Sequence, residues 1–95
     1  MPKGYIVARV TVTDPAAYAN YSRGAGEAMK LYGARALARG GRHEALEGEA
    51  RGRNVILEFD SFEQAKAYFH SPEYQAAKRH RDGAAIGEFV LVEGV

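Results

Sequence analysis

The chain has 95 residues, 46% hydrophobic and 26% charged, with thirteen basic against twelve acidic side chains, a net charge of +1 and no cysteine. This composition excludes a disordered segment, a disulfide scaffold, thiol chemistry and a thiolate metal site, and near-neutrality removes the long-range field of a general nucleic-acid binder. One domain over residues 1–95 is expected, and a domain this small buries only about 60–65% of its unfolded surface, so pairing with another copy is a natural source of further burial.

Met1-Pro2-Lys3-Gly4 leads directly into a strand-like run with no secretory hydrophobic region, which makes the cytoplasm the default expectation. No apolar stretch approaches the roughly 18 residues of a membrane span, so no membrane association is expected. Residues 5–12, β-branched and aromatic, predict the first strand. Asp14-Pro15 supplies an N-cap and a proline at the first helical position. The helix from Pro15 to about Tyr32 places Tyr18, Tyr21, Ala25, Ala28, Met29 and Tyr32 on one stripe, and Gly33 ends it. Gly24 and Gly26, inside that helix, predict either a kink or a close backbone approach.

Residues 34–39 predict a second strand, Gly40-Gly41 a bulge, and 42–47 its continuation. Gly48 to Gly52 reads as a turn, and Arg53 to Asp60 as a strand with Val55, Leu57 and Phe59 alternating. Ser61 and Gln64 fit a capping box that opens a helix through about His70. Ser71-Pro72 starts another over 72–82, and residues 86–93 are the last strand. The order is β-α-β-β-α-β with the second helix in two pieces: an α+β, ferredoxin-like fold with a four-stranded antiparallel sheet, strand order 4-1-3-2, and helices on one face.

Such a sheet leaves one face uncovered. That face carries Tyr5, Val7, Ile56, Val90 and Val92 among Arg9, Glu58 and Glu88, too apolar to be left in water, so two copies are expected to pack there.

Several short motifs recur in a recognisable order. They are Gly4-Tyr5, Asp14-Pro15 with Tyr18 and Tyr21, Gly33, Arg39-Gly40-Gly41, Glu47-Gly48 and Glu58-Phe59-Asp60-Ser61. Ser71-Pro72-Glu73-Tyr74, Arg81 and Val92-Glu93-Gly94 complete the set. Together they closely resemble domain of unknown function 1330, a family of the dimeric α/β-barrel superfamily, over nearly the whole chain. The resemblance implies that two four-stranded sheets pack face to face into a dimeric α/β barrel enclosing a cavity. It implies no reaction, and relatives in the wider superfamily include cofactor-free monooxygenases, lactone isomerases, haem enzymes and stress-induced barrels. Gly24-Ala25-Gly26 departs from the better helix formers expected there.

The candidate ligand-binding residues are Arg9, Tyr21, Arg39, Glu58, Tyr74 and Glu88. With the strand order 4-1-3-2, Arg9 is expected between Glu58 and Glu88, either holding an anionic or carbonyl ligand or closing a structural ion cluster. Arg39, before two glycines, is either aimed at a cavity mouth or a solvated strand charge. Tyr18 and Tyr21 read as core packing with bonded hydroxyls or as cavity lining. Tyr74 sits in a first helical turn, beside backbone N–H groups that suit an anion but that Ser71 already caps. His43, His70 and His80 share no metal-site spacing, and neither a metal nor a cofactor is expected. Lys78-Arg79-His80-Arg81 reads as a solvated basic face. An RNA-recognition module shares the strand order, but Asn54, Ile56 and Glu58 stand where stacking aromatics belong. The residues thus leave two readings: a homodimer binding a small, partly apolar metabolite with cofactor-free chemistry, or a non-catalytic binding or stress-related assembly module.

Overall fold

In the computed structural model, which describes residues 2–95, β-branched runs and capped helices fall close to their expected places. The elements are β1 (Gly4–Val12), α1 (Pro15–Tyr32), β2 (Arg35–Arg39), β3 (Arg53–Phe59), α2 (Phe62–His70), α3 (Pro72–Arg81) and β4 (Ala85–Glu93). The strands form one antiparallel sheet in the order β2-β3-β1-β4, a ferredoxin-like arrangement. Its thinnest dimension is 17 Å, the depth of one sheet and one layer of helices. The core lies between those layers and is built from Ile6, Ala8 and Val10 of β1, Leu57 and Phe59 of β3, and the tyrosine stripe of the helices.

Each helix begins on a side chain that accepts an otherwise orphaned N–H. Asp14 Oδ1 accepts from Ala17 N at 3.2 Å, Ser61 Oγ from Gln64 N at 3.0 Å, and Ser71 Oγ from Tyr74 N at 3.0 Å. Half of the expected capping box forms: the Gln64 amide donates to the Tyr32 carbonyl at 3.0 Å instead of turning back to Ser61, which ties the end of α1 to the start of α2. Ser71 is 4% exposed and also donates to the Tyr68 carbonyl at 2.7 Å. One hydroxyl therefore ends α2 and starts α3.

The second strand differs from expectation. Its bulge falls between Ala36 and Ala38, not at Gly40-Gly41, and residues 42–47 form no strand. That segment has no alternating apolar face to bury, so nothing holds it on the sheet edge. The chain instead returns across the open face, where Arg9 Nη2 donates to the Glu49 carbonyl at 2.8 Å and Arg51 grips the Glu88 carboxylate at 2.6 and 2.8 Å.

The helix α1 runs unbroken through both internal glycines, and the two have different reasons. A Cβ on Gly24 would lie 2.8 Å from the Ala77 Cβ, so its absence permits the close crossing of α1 and α3. A Cβ on Gly26 would meet only the movable end of Arg39, at 3.4 Å. Gly24→Ala should therefore lower stability by about 1–2 kcal/mol, the contact outweighing a propensity gain of about 1 kcal/mol. Gly26→Ala should raise stability by about 0.5–1 kcal/mol. Urea unfolding of the two variants, with opposite shifts in midpoint, checks both.

Candidate functional site

The two faces of the sheet treat their polar groups differently. On the open face, strand register places Arg9 opposite Glu88 on β4 and opposite Asn54 on β3, while Glu58 lies opposite Tyr5. Arg9 Nη1 is 3.7 Å from Glu88 Oε1, but Glu58 is engaged by Arg35 Nε at 2.8 Å and by the Tyr5 hydroxyl at 3.1 Å. The expected triad of Arg9, Glu58 and Glu88 is thus two separate clusters, because Glu58 is four residues from Asn54 along β3. Arg35 also bonds Asp60 at 3.1 Å, and Arg51 reaches Thr11 Oγ1 at 3.0 Å besides its fork on Glu88. These groups satisfy one another.

The Arg35 hydrogen bond, ahead of the Tyr5 hydroxyl, holds the Glu58 carboxyl below the usual carboxylate range, and the Arg51 fork does the same for Glu88. Glu58 in turn raises the Tyr5 phenol.

On the inner face, a cavity of about 50 Å³ lies between the sheet and the helices. That exceeds the roughly 10–15 Å³ needed by one water. Its walls include Val10, Val55, Leu57, Phe69 and Phe89, with Tyr18, Tyr21, Tyr68 and Tyr74 among them. The Tyr21 and Tyr74 hydroxyls share a hydrogen bond of 2.9 Å between α1 and α3. Ring packing fixes both side chains: Tyr74 lies 4.9 Å from Tyr68 and 5.0 Å from Phe69, and Tyr21 lies 5.1 Å from Tyr18. Burial pushes the phenols of Tyr21, Tyr68 and Tyr74 above the ordinary value, so all three are neutral at physiological pH.

Two arginines, Arg39 and Arg53, line this cavity, and no carboxylate does. Arg39 reaches across from β2 toward α1. Arg53 lies over the Tyr18 ring at 5.6 Å, tucked against the Cα of Gly40 in space that any side chain there would fill. Arg81 lies over Phe89 at 4.1 Å and Tyr21 at 5.1 Å, with Nη2 3.5 Å from the Tyr74 oxygen. The candidate residues therefore divide: Tyr21, Arg39 and Tyr74 meet at the inner cavity, and Arg9, Glu58 and Glu88 lie on the opposite face.

Arg53 and Arg81 were not singled out by sequence as site residues, though both carried a signal. Arg53 has the same strand parity as the inward Val55, Leu57 and Phe59. Arg81 follows the buried Tyr74 and Ala77 by seven and four residues, which puts it on the covered face of α3 and corrects its assignment to a solvated basic face.

A wider hollow of about 560 Å³ lies outside α1 and α3 but is an open groove edged by charges of both signs, including Arg23, Glu27 and Glu73. Among the described residues, no group of three or more His, Asp or Glu side chains is arranged to hold a metal, and no helix is long and apolar enough to cross a membrane.

The family model described as domain of unknown function (DUF1330) matches residues 3–95. The chain belongs to this family. Among solved structures, it is similar to a protein of unknown function from Rhodopseudomonas palustris, with 20% identity, 99% of this chain and 83% of that chain covered, and a TM-score of 0.80. A dimeric, ferredoxin-like protein of unknown function from Bacteroides fragilis shares 14% identity over 96% of this chain and 95% of its own, with a TM-score of 0.65. A dimeric ferredoxin-like protein of unknown function from Thermobifida fusca shares 14% identity over 99% and 92%, with a TM-score of 0.55. At these identities the likeness concerns the fold. No curated protein matches the chain.

The open-face ion pairs set an expected response to acid. Both carboxyls titrate lower in the folded chain than in the unfolded one. Their contribution is complete above the unfolded value, about 4.3, and is lost as pH falls through the folded values. The thermal midpoint should thus decline below about pH 4, and the double variant Glu58→Gln/Glu88→Gln should show a shallower decline in the same pH series.

Proposed function

We propose that the chain works as a homodimer that binds one small, partly apolar molecule per subunit in the cavity between sheet and helices. The observation that carries this reading is the cavity itself: a void with aromatic and aliphatic walls, lined also by the hydrogen-bonded Tyr21 and Tyr74 and by the Arg39 and Arg53 side chains. Apolar walls with a few fixed polar groups are the usual make-up of a small-molecule site. Any chemistry on the bound molecule would use these donors to polarise a carbonyl or stabilise a developing negative charge, without a cofactor. The phenols are too firmly protonated to serve as bases, so their part is to donate.

The pairing of two copies is proposed for the open face. Ile86, Val90 and Val92 are 61%, 56% and 45% exposed there, and Ile56 is 37% exposed. Covering each such side chain contributes roughly 1 kcal/mol. The ion pairs of Arg9, Arg35 and Arg51 with Glu58 and Glu88 frame this apolar strip. Both glutamates are already engaged by arginines, which favours a structural role for Arg9, Glu58 and Glu88 at the subunit contact.

Two measurements test the proposal. Light scattering coupled to gel filtration should give a dimer at micromolar concentration, and Val90→Lys should shift it toward monomer; a parent protein that is monomeric throughout removes the pairing. Native mass spectrometry and denaturing release should find a small molecule with the purified dimer. Ala25→Val, which adds two methyl groups to the cavity wall, should abolish that capture while leaving the thermal midpoint within a few degrees of the parent. Undiminished capture by this variant would place the ligand elsewhere.

A further inference from the structure

Two hollows on the helix side of the sheet share a wall. The inner cavity runs across the strands, from Arg39 of β2 and Arg53 of β3, over Ile6, Ala8 and Val10 of β1, to Phe89 of β4. A second hollow of about 200 Å³ begins where this one stops, lined by Ile6, Phe69, Phe89 and Leu91 with Lys66 and His70 at its edge. Ile6, Phe69 and Phe89 thus belong to both. Strand register explains the continuity: Phe89 pairs with Ala8 and Leu91 with Ile6, so both side chains of β4 point toward the helices.

The two ends of the inner cavity differ. At the β2–β3 end Arg39 and Arg53 stand across it, with Arg53 over the Tyr18 ring at 5.6 Å. At the β4 end only hydrocarbon side chains separate it from the outer hollow, and Lys66 and His70 beyond them are exposed to solvent. Phe69 and Phe89 are half-buried, and neither side chain holds a hydrogen bond that a turn of its ring would break. The outer hollow is also the roomier of the two, about 200 Å³ against about 50 Å³.

We propose that the outer hollow is the entrance and the second half of the ligand site, and that the ligand is a slender aliphatic chain with one polar end. It lies across the strands, its polar end toward Tyr21 and Tyr74 and its tail past Phe69 and Phe89 against Leu91. The polar end belongs inside because the hydrogen-bonded tyrosines line the inner cavity, whereas the deep walls of the outer hollow are hydrocarbon alone. From β3 to β4 is two strand spacings, about 10 Å, a span that suits a chain better than a compact ring. The outer hollow lies on the helix side of the sheet, so pairing through the open face leaves its mouth free. This inference rests on the inner cavity being the ligand site, and it adds the shape of the ligand and its way in.

The test uses the full chain with straight-chain alcohols from n-butanol to n-octanol, followed by calorimetry and by methyl resonances. Val10 and Val55 report on the inner cavity, and Leu91 reports on the outer hollow. All three should shift with n-octanol, and each added CH₂ should tighten binding about fourfold, the equivalent of about 0.8 kcal/mol, until both hollows are filled. Leu91→Trp, which fills the outer hollow and leaves the inner walls alone, should weaken n-octanol binding about tenfold or more and flatten the dependence on chain length. The alcohol series on the parent protein stands even if this variant fails to fold. Shifts at Val10 and Val55 without tightening along the series, or with Leu91 unmoved, overturn the two-part site and leave the inner-cavity reading intact. Leu91 shifts with Val10 and Val55 unmoved, or no shift at any of the three at saturating concentration, overturn both.

Discussion

A four-stranded sheet whose helices all lie on one side has to answer for its other side, and most of this molecule follows from how that is done. Period-two alternation sends Ile6, Ala8, Val10, Leu57 and Phe59 toward the helices and Tyr5, Val7, Ile56, Glu58, Glu88 and Val90 away from them. The same division sorts the charges. Acidic and basic groups meet on the outer face and saturate one another, whereas the inner face receives arginines and no acid. An outer face whose glutamates are engaged by arginines and that is apolar between these ion pairs suits another protein surface. An inner face that is electrically open suits a small molecule.

The inner cavity keeps its shape because its polar groups stand on a packed aromatic frame. Phe59 of β3 touches Tyr68 with ring centres 5.1 Å apart, and Tyr68 touches Tyr74 at 4.9 Å. Tyr74 then bonds Tyr21 on α1. This row of rings runs from the sheet through the helix layer, and the Ser71 hydroxyl fixes its turning point by binding the end of α2 and the start of α3 at once. The break between the two short helices is therefore what swings Tyr74 inward. Side chains locked in this way hold their hydroxyls in place without a ligand, which is what a binding site needs to avoid the cost of ordering itself.

Much of the fold was legible in the sequence because local signals agreed with one another. Asp14, Ser61 and Ser71 marked helix starts, Gly33 an end, and the parity of β1 and β3 marked the two faces. The path after Arg39 was not legible: its course depends on Arg9 and Glu88, which lie distant in sequence and hold Glu49 and Arg51. The candidate site was half legible. Tyr21, Arg39 and Tyr74 belong together, but their partners Arg53 and Arg81 are arginines in positions that composition alone assigns to water. Only their phase relative to buried neighbours gives them away. The proposed triad failed on register, since adjacency of strands does not make residues neighbours until the pairing offset is known.

That offset also separates the two roles. Arg9 and Arg53 belong to neighbouring strands, paired one residue apart in register, and opposite parity sends their side chains to opposite faces of one sheet. Arg9 finds Glu88 within reach and closes a contact that a second subunit can cover. Arg53 finds only the Tyr18 ring and the bare backbone of Gly40, and remains a cation without an anion. A chain selected for stability alone would place a carboxylate or an aliphatic side chain in that position, because an unpaired buried donor weakens the fold.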